Sequence, residues 1–378
     1  GRACTWESGC CHRHPRLASC RASRGHGADE GQSSRLFKGR SQRRLPPPSE
    51  ARIEAIPGAA AVARSINHTS SLPMWATNPS SVVSSNMLLL RVTPCSLCTK
   101  PDTRSRSCHK DYARNSVVAF VRRGDHLPTR LLRGFEDART WASRLLPGAI
   151  FMLAGVYVPA GDGRFTGGVN TIALLRLSAD LVPCGPARPL RFAHARRREK
   201  NWVPFAEEAG LTGHASSVAL LVTYSLEPHV VLRCAVHDGV CEVAHNTSAA
   251  GVWRRRLSDR VGRRLLYEHK VQLPHLHAGS TCSALSITSN SNNFLVCVGH
   301  WHNSFGLYFS FLYKMQSMPP YRIVAVSYPF RFRRYFDDDR DNIQFASGTA
   351  LDAEAARLRI SFGVADCVAA ETTVRLAD

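Results

Sequence analysis

Lysine is scarce in this chain. Of 49 basic residues only six are Lys, and the other 43 are Arg, so the formal charge of +20 is almost wholly arginine. A balance this basic invites a nucleic-acid reading. The arginines are scattered, however, apart from runs such as Arg196, Arg197, Arg198 and Arg254, Arg255, Arg256. No RNA-recognition, zinc-finger or helix-turn-helix pattern accompanies them, and the matching abundance of Ala, Gly and Pro is what GC-rich codons produce. We therefore expect no nucleic-acid partner. The basic excess suits anionic ligands such as phosphates or sugar nucleotides. Long apolar runs are lacking too. The longest candidate, residues 145–158, is broken by Pro147, Gly148 and Gly155 and reads as buried strand, so no membrane span is expected.

Helical periodicity is also sparse, with only residues 258–267 offering a short, solvated helical pattern. Short apolar runs recur instead, at 81–92, Ser116–Val121, Ala149–Val158, 171–177, 218–226, 230–234, 284–287, 294–298, 307–312, 322–326 and 358–362. They are rich in Val, Ile, Leu, Phe and Tyr and are punctuated by Gly, Pro, Asn, Asp and Ser, which is strand chemistry. Many short strands imply a sandwich, a barrel or a propeller. The 13 cysteines are too dilute for a small disulfide scaffold. Cys95, Cys98, Cys108 and His109 are loosely zinc-like but fit no standard finger, and read as a loop with free thiols. Asn67-His68-Thr69 and Asn246-Thr247-Ser248 are formal glycosylation sequons.

Residues 1–50 hold ten Arg or Lys, four acids, four Cys and little apolar periodicity, so this segment is expected to be disordered. A transit peptide or a wrongly translated upstream sequence would both look like this, and a chain starting at Gly1 reads as a fragment or a processed form. Residues 51–74 read as a linker and residues 75–378 as one domain. No secretory signal is evident, which points to a cytoplasmic or organellar location.

Five segments carry candidate chemistry. In Glu136-Asp137-Ala138-Arg139, extended backbone would send the two carboxylates to opposite faces and put Asp137 beside Arg139. Glu199-Lys200-Asn201-Trp202 offers a cation, an amide and an aromatic face for a sugar ring. Pro228-His229 lies between two apolar runs. Gly279-Ser280-Thr281 precedes Gly299-His300-Trp301-His302, whose two His share a strand face without an evident third metal ligand. Phe362-Gly363-Val364-Ala365-Asp366 ends in a carboxylate, with Gly363 permitting a tight bend.

Taken in order, these segments resemble glycoside hydrolase family 130 and its related mannosyltransferases. Asn78-Pro79-Ser80, with Arg91 on the next strand, is similar to the family's first Asn-Pro segment. Glu136 to Arg139 resembles its Glu-Asp-Pro-Arg motif, with Ala138 for Pro. Cys282 stands where the turn after Gly279-Ser280-Thr281 usually has Pro, and Phe362 stands for Tyr in the terminal Tyr-Gly-Ala-Ala-Asp motif. The resemblance implies an all-β, five-bladed β-propeller acting on β-mannoside-type glycans, with Asp137 as general acid. It implies substrate binding by Asn78, Arg91, Glu136, Arg139, Lys200, Asn201, His229, Thr281, His300 and Asp366. An inverting phosphorylase or glycosyltransferase needs a cationic subsite for phosphate or a sugar nucleotide, and Arg139, Lys200 and His229 are its candidates. An inverting hydrolase would need a second carboxylate, from Glu136, Glu199, Glu227 or Asp366, and a glycan-binding propeller would need none. No metal or other cofactor is expected.

The composition of the first fifty residues generates a test. Deleting residues 1–49 should leave the melting temperature and the cooperativity of unfolding nearly unchanged in scanning calorimetry, and a broadened transition would show that the segment packs on the domain.

Overall fold

The computed structural model describes residues 54–56, 59–60, 75–81, 87–93, 116–121, 130–158, 169–196, 199–209, 218–258, 276–280, 282–285, 294–302, 307–332, 342–352 and 357–375. The segment expected to be disordered, Thr281, and Cys95, Cys98 and Cys108 lie outside the described residues. Among the described residues no helix is long and apolar enough to cross a membrane.

The chain is all-β with its sheets in a propeller arrangement. A short strand, β1 (Glu54–Ala55), is followed by a first sheet of β2 (Trp75–Ser81), β3 (Met87–Thr93), β4 (Ser116–Val121) and β5 (Arg130–Arg133), paired in chain order. The second sheet is β6 (Phe135–Ala142), β7 (Ala149–Val158), β8 (Val169–Ser178) and β9 (Arg188–Pro189). The third contains β10 (Arg191–Phe192), β11 (Val203–Glu208), β12 (Ala219–Leu226), β13 (His229–Ala235) and β14 (Val240–Thr247), with β10 added beyond β14. A helix, α1 (Ala250–Leu257), leads to the fourth sheet. There β15 (His277–Ala278) and β16 (Ser283–Leu285) both pair with β17 (Phe294–His302), followed by β18 (Tyr308–Gln316) and β19 (Ile323–Val326). The fifth is β20 (Gln344–Asp352), β21 (Arg357–Val364) and β22 (Val368–Arg375), and β1 returns to pair with β22. Glu54 and Ala55, inside the stretch read as linker, thus complete the last sheet, and Ile56 N donates to Ala369 O at 3.0 Å.

The two-residue alternation of each central strand explains how the sheets stack. In β17, Leu295, Cys297 and Trp301 enter the core shared with the third sheet, while Val296 and Val298 enter the core shared with the fifth. In β7, Phe151 and Leu153 face the third sheet, and Ile150, Met152 and Ala154 face the first. In β3, Leu88, Leu90 and Val92 pack with Ala369 of β22, which closes the circle. Every sheet buries both faces, so its central strands read as continuous apolar runs rather than alternating ones. That is why these runs were legible and the polar edge strands were not.

A helix lies at Ala250–Leu257, with Ser258 as its C-cap, and residues 259–267, the rest of the stretch read as a short solvated helix, lie outside the described residues. Trp253 and Leu257, four residues apart, bury one face, and Arg254, Arg255 and Arg256 in the last turn suit the helix dipole. Trp202 is 2% exposed and packs edge-on against Phe192 and Tyr224, so it belongs to the core and is no sugar platform. The structure also holds disulfides, Cys234–Cys241 across β13 and β14 and Cys282–Cys297 onto β17, and Cys367 is disulfide-bonded as well.

The largest core joins the third and fourth sheets through Phe311, which meets the Trp253 ring edge-on at 4.9 Å. Phe311→Ala should cost about 3–5 kcal/mol of unfolding free energy in a urea titration, whereas Met318→Ala, 70% exposed, should stay within about 0.5 kcal/mol.

Candidate functional site

The site forms where the first strands of the sheets approach one another. β2 contacts β6 and β20, and β6 contacts β11 and β20. Two of these strands carry irregularities at the site. Register shifts between Thr77 and Ser80 and between Glu136 and Arg139. Asn78, Asp137, Asn201, Ala365 and Asp366 adopt the left-handed region, with φ of 46, 50, 62, 52 and 52°. Such backbone costs roughly 1–3 kcal/mol per residue in general, and Asn and Asp tolerate it better than most. A bulge re-aims side chains. Glu136 and Asp137 therefore converge, instead of pointing to opposite faces as extended backbone would require.

Arg91 is where they converge. Its Nη1 lies 3.1 Å from Asp137 Oδ1 and its Nη2 lies 3.4 Å from Glu136 Oε2. Asn78 Nδ2 donates to the same Asp137 oxygen at 2.7 Å, and Lys200 Nζ is 3.7 Å from Glu136 Oε1. Gly155 admits Glu136, because a Cβ there would lie 2.8 Å from Glu136 Cγ. Gly363 plays the same part for Asn78: a Cβ would collide with Asn78 Oδ1 and Thr77 Oγ1. Close approach, not a bend, is the reason for glycine at 363. Arg139 is 1% exposed and is held by backbone carbonyls. Nε donates to Gly279 O at 2.6 Å, and Nη1 donates to Asp137 O at 2.7 Å and to Ala138 O at 3.1 Å. It does not pair with the Asp137 carboxylate, as the shared-face argument expected.

The electrostatics divide the carboxyls. Burial would raise Asp137, but Arg91, then Arg139 and Lys200, together with the Asn78 amide, outweigh it and hold the carboxyl down at about 2. Glu136 is pushed up, by burial first and then by Asp137 and Asp366 against the pull of Arg91 and Lys200. Asp366 is pushed up by burial, and Asp137 adds to this against Arg91 and Lys200. Burial lowers Arg139 to about 10. The site thus holds an ionised Asp137 among three cations, with two neighbouring carboxyls shifted toward their neutral forms.

The fourth sheet supplies an aromatic wall. His300, 2% exposed, stacks on His277 at 5.4 Å and on Tyr308 at 5.6 Å, and His302 stacks on the same two rings. Burial and then His277 press His300 well below the usual imidazole value, so it is neutral at physiological pH. Tyr308 is raised to about 12 by burial and then by Asp366 and Asp137. Among the described residues no group of His, Cys, Asp and Glu is arranged to hold a metal ion.

Asn78, Arg91, Glu136, Asp137, Arg139, Lys200, His300 and Asp366 are thereby coupled in one cluster, and Asn201 lines a crevice with Glu136, Asp137 and Lys200. His229 is not brought to it. It is fully buried, and burial and then His245 lower it to about 4, so it is neutral and cannot serve as a phosphate cation. Two candidate bases are otherwise engaged. Glu199 accepts from Trp202 Nε1 at 2.9 Å, from Tyr224 Oη at 3.2 Å and from Arg196 N, which fixes the turn bearing Lys200. Glu227 accepts from Ala249 N at 2.7 Å and from Ser248 Oγ at 3.0 Å at the start of α1. Sequence reasoning missed His277 and Tyr308, which reach the wall only through pairing with β17, and nothing local marks them.

No protein-family model matches the chain, and no curated protein does. Solved structures that resemble it include a β-1,2-mannobiose phosphorylase from Listeria innocua (11% identity, 80% of this chain and 89% of that one, TM-score 0.44). Others are an exo-1,5-α-L-arabinanase from a bovine ruminal metagenomic library (9%, 79% and 92%, 0.37) and a Trypanosoma rangeli sialidase (8%, 80% and 54%, 0.32). Likenesses this remote assign neither substrate nor reaction.

Two substitutions test the electrostatics. Arg91→Met removes the strongest opposing cation, so Asp137 should titrate well above about 2 in carboxylate NMR. Asp366, whose value is raised on folding, lowers stability as pH climbs through its folded pKa. Asp366→Asn should therefore raise the melting temperature at pH 8, and the gain should vanish below the carboxylate range.

Proposed function

We propose that the chain is a carbohydrate-active enzyme, a divergent relative of glycoside hydrolase family 130 with the five sheets as its blades. In this reading it cleaves a β-mannoside-type bond with inorganic phosphate and inverts the anomeric centre. One observation carries this: a cluster at the meeting of the innermost strands in which Arg91, Arg139 and Lys200 surround Asp137 while Glu136 and Asp366 lean toward neutrality. Such a cluster carries excess positive charge and suits an anionic co-substrate. Among the described residues Arg91 Nε and Arg139 Nη2 are buried donors without a protein partner, the kind of group a bound oxyanion or sugar hydroxyl satisfies.

Bound phosphate resolves the conflict between an acid's role and a pKa of about 2. Its charge engages Arg91 and Lys200 and adds a like charge beside Asp137, and both effects raise that carboxyl. Asp137 then gives its proton to the departing glycosidic oxygen. A hydrogen phosphate oxygen bonds to the anomeric carbon from the opposite face as the carbon–oxygen bond breaks, and the proton displaced from phosphate restores Asp137. The products are a sugar 1-phosphate and a free hydroxyl. Acid competence is thereby tied to the presence of the nucleophile.

An inverting hydrolase is the second reading, favoured by the opposite shifts of Asp137 and Asp366. Carboxyls driven apart in this way suit an acid and base pair, with Asp366 protonating the leaving group and Asp137 activating water. A glycan-binding propeller leaves Asp137 free to pair with Arg139 and turn from the cavity, whereas here its side chain keeps 18% exposure and faces Arg91 and Asn78.

Incubation with β-linked mannobiose and phosphate, followed by phosphorus NMR, should give α-mannose 1-phosphate, and addition of a chelator should not change the rate. Release of free mannose alone, independent of phosphate, would select the hydrolase. Asp137→Asn should lower kcat by about 10²–10⁴-fold. Lys200→Ala should chiefly raise KM for phosphate, because its Nζ is a half-exposed cation at the rim of the cluster.

A further inference from the structure

β14 is the outer long strand of the third sheet. β10 covers it only at Val240 and Cys241, which leaves residues 242–247 as an edge among the described residues. That edge is apolar in part: Val243 is 47% exposed. An exposed edge strand with an apolar side chain is a template for pairing with another chain unless something blunts it. Asn246 lies on this edge with its side chain exposed, and it opens the sequon Asn246-Thr247-Ser248.

The cysteines give independent information about the folding compartment. Cys234 and Cys241 are directly opposite each other on β13 and β14 and are joined, in the very sheet that carries Asn246. Cys282 and Cys297 are joined in the fourth sheet, and Cys367 is also disulfide-bonded. Disulfides buried in this way form and persist in oxidising compartments, whereas the cytosol keeps such thiols reduced.

We propose that Asn246 is an N-glycosylation site and that the chain folds in an oxidising, glycosylating compartment, where the glycan covers the exposed edge of β14. In the transfer, the anomeric carbon of a lipid-diphosphate-linked oligosaccharide leaves its phosphate oxygen and bonds to Asn246 Nδ2. The proton displaced from Nδ2 leaves with the lipid diphosphate. The timing follows from the fold. The hydroxyl of Ser248, which the acceptor sequence requires, donates to Glu227 at 3.0 Å and accepts from Ala250 N at 3.2 Å in the folded chain. Glycosylation therefore precedes closure of the turn into α1. The finished glycan then projects from an exposed position and disturbs no core contact.

The test is peptide mapping of the full chain secreted from a eukaryotic host. After peptide-N-glycosidase treatment, the peptide containing Asn246 should appear with Asp in place of Asn. Alkylation of the denatured, unreduced protein should leave Cys234, Cys241, Cys282 and Cys297 unlabelled. Asn246→Gln should lose one glycosidase-sensitive step on a gel, while Asn67→Gln leaves the step from Asn246 in place. The glycosidase-treated protein should self-associate more than the untreated protein in sedimentation. Recovery of the Asn246 peptide in unmodified form, or alkylation of those four cysteines, would overturn the proposal. Both of these readouts use the parent sequence and depend on no variant folding.

Discussion

The Asp137 carboxylate stays charged inside this ring of sheets because Arg91 reaches it from another sheet, with Arg139, Lys200 and the Asn78 amide adding to the same effect. Of the groups that offset the cost of its burial, Arg91 is the strongest. The pairing sets much else. Asp137 takes a left-handed backbone so that it and Glu136 can both face Arg91. Arg139, two residues on, uses its guanidinium on the backbone carbonyls of Asp137, Ala138 and Gly279, and so ties the bulge to the fourth sheet. A guanidinium held by carbonyls keeps its position whatever the protonation of the carboxyls around it.

The arrangement trades stability for chemistry. Five non-glycine residues at or beside the cluster have positive φ, and two buried carboxyls resist ionisation there. Strain and buried like charges persist only where the surroundings over-determine them. The surroundings here are stiff. Cores of buried side chains separate the sheets, β1 closes the last sheet against β22, and disulfides staple neighbouring segments within the third and fourth sheets. Cys282 is instructive: its disulfide to β17 holds the chain beside the carbonyl that orients Arg139.

Local sequence determined a good deal. The apolar runs at Ser116–Val121 and Ala149–Val158 are strands with those same bounds, and in the second, Phe151 and Leu153 bury one face while Ile150, Met152 and Ala154 bury the other, which leaves a run that needs no context to be read. The polar motif segments brought Glu136, Asp137, Lys200, His300 and Asp366 into view by residue type, and the resemblance to a known family added Asn78 and Arg91. Tertiary structure decided the rest. That Glu136 and Asp137 face the same guanidinium depends on a bulge, which local propensity does not encode. That His229 is neutral and buried beside His245, while His300 joins the site, depends on which sheet packs where. His277 and Tyr308 become a wall only when β15 and β18 flank β17. The direction of each carboxyl's pKa is likewise a sum over cations and burial contributed by several sheets, and no single stretch of sequence contains that sum.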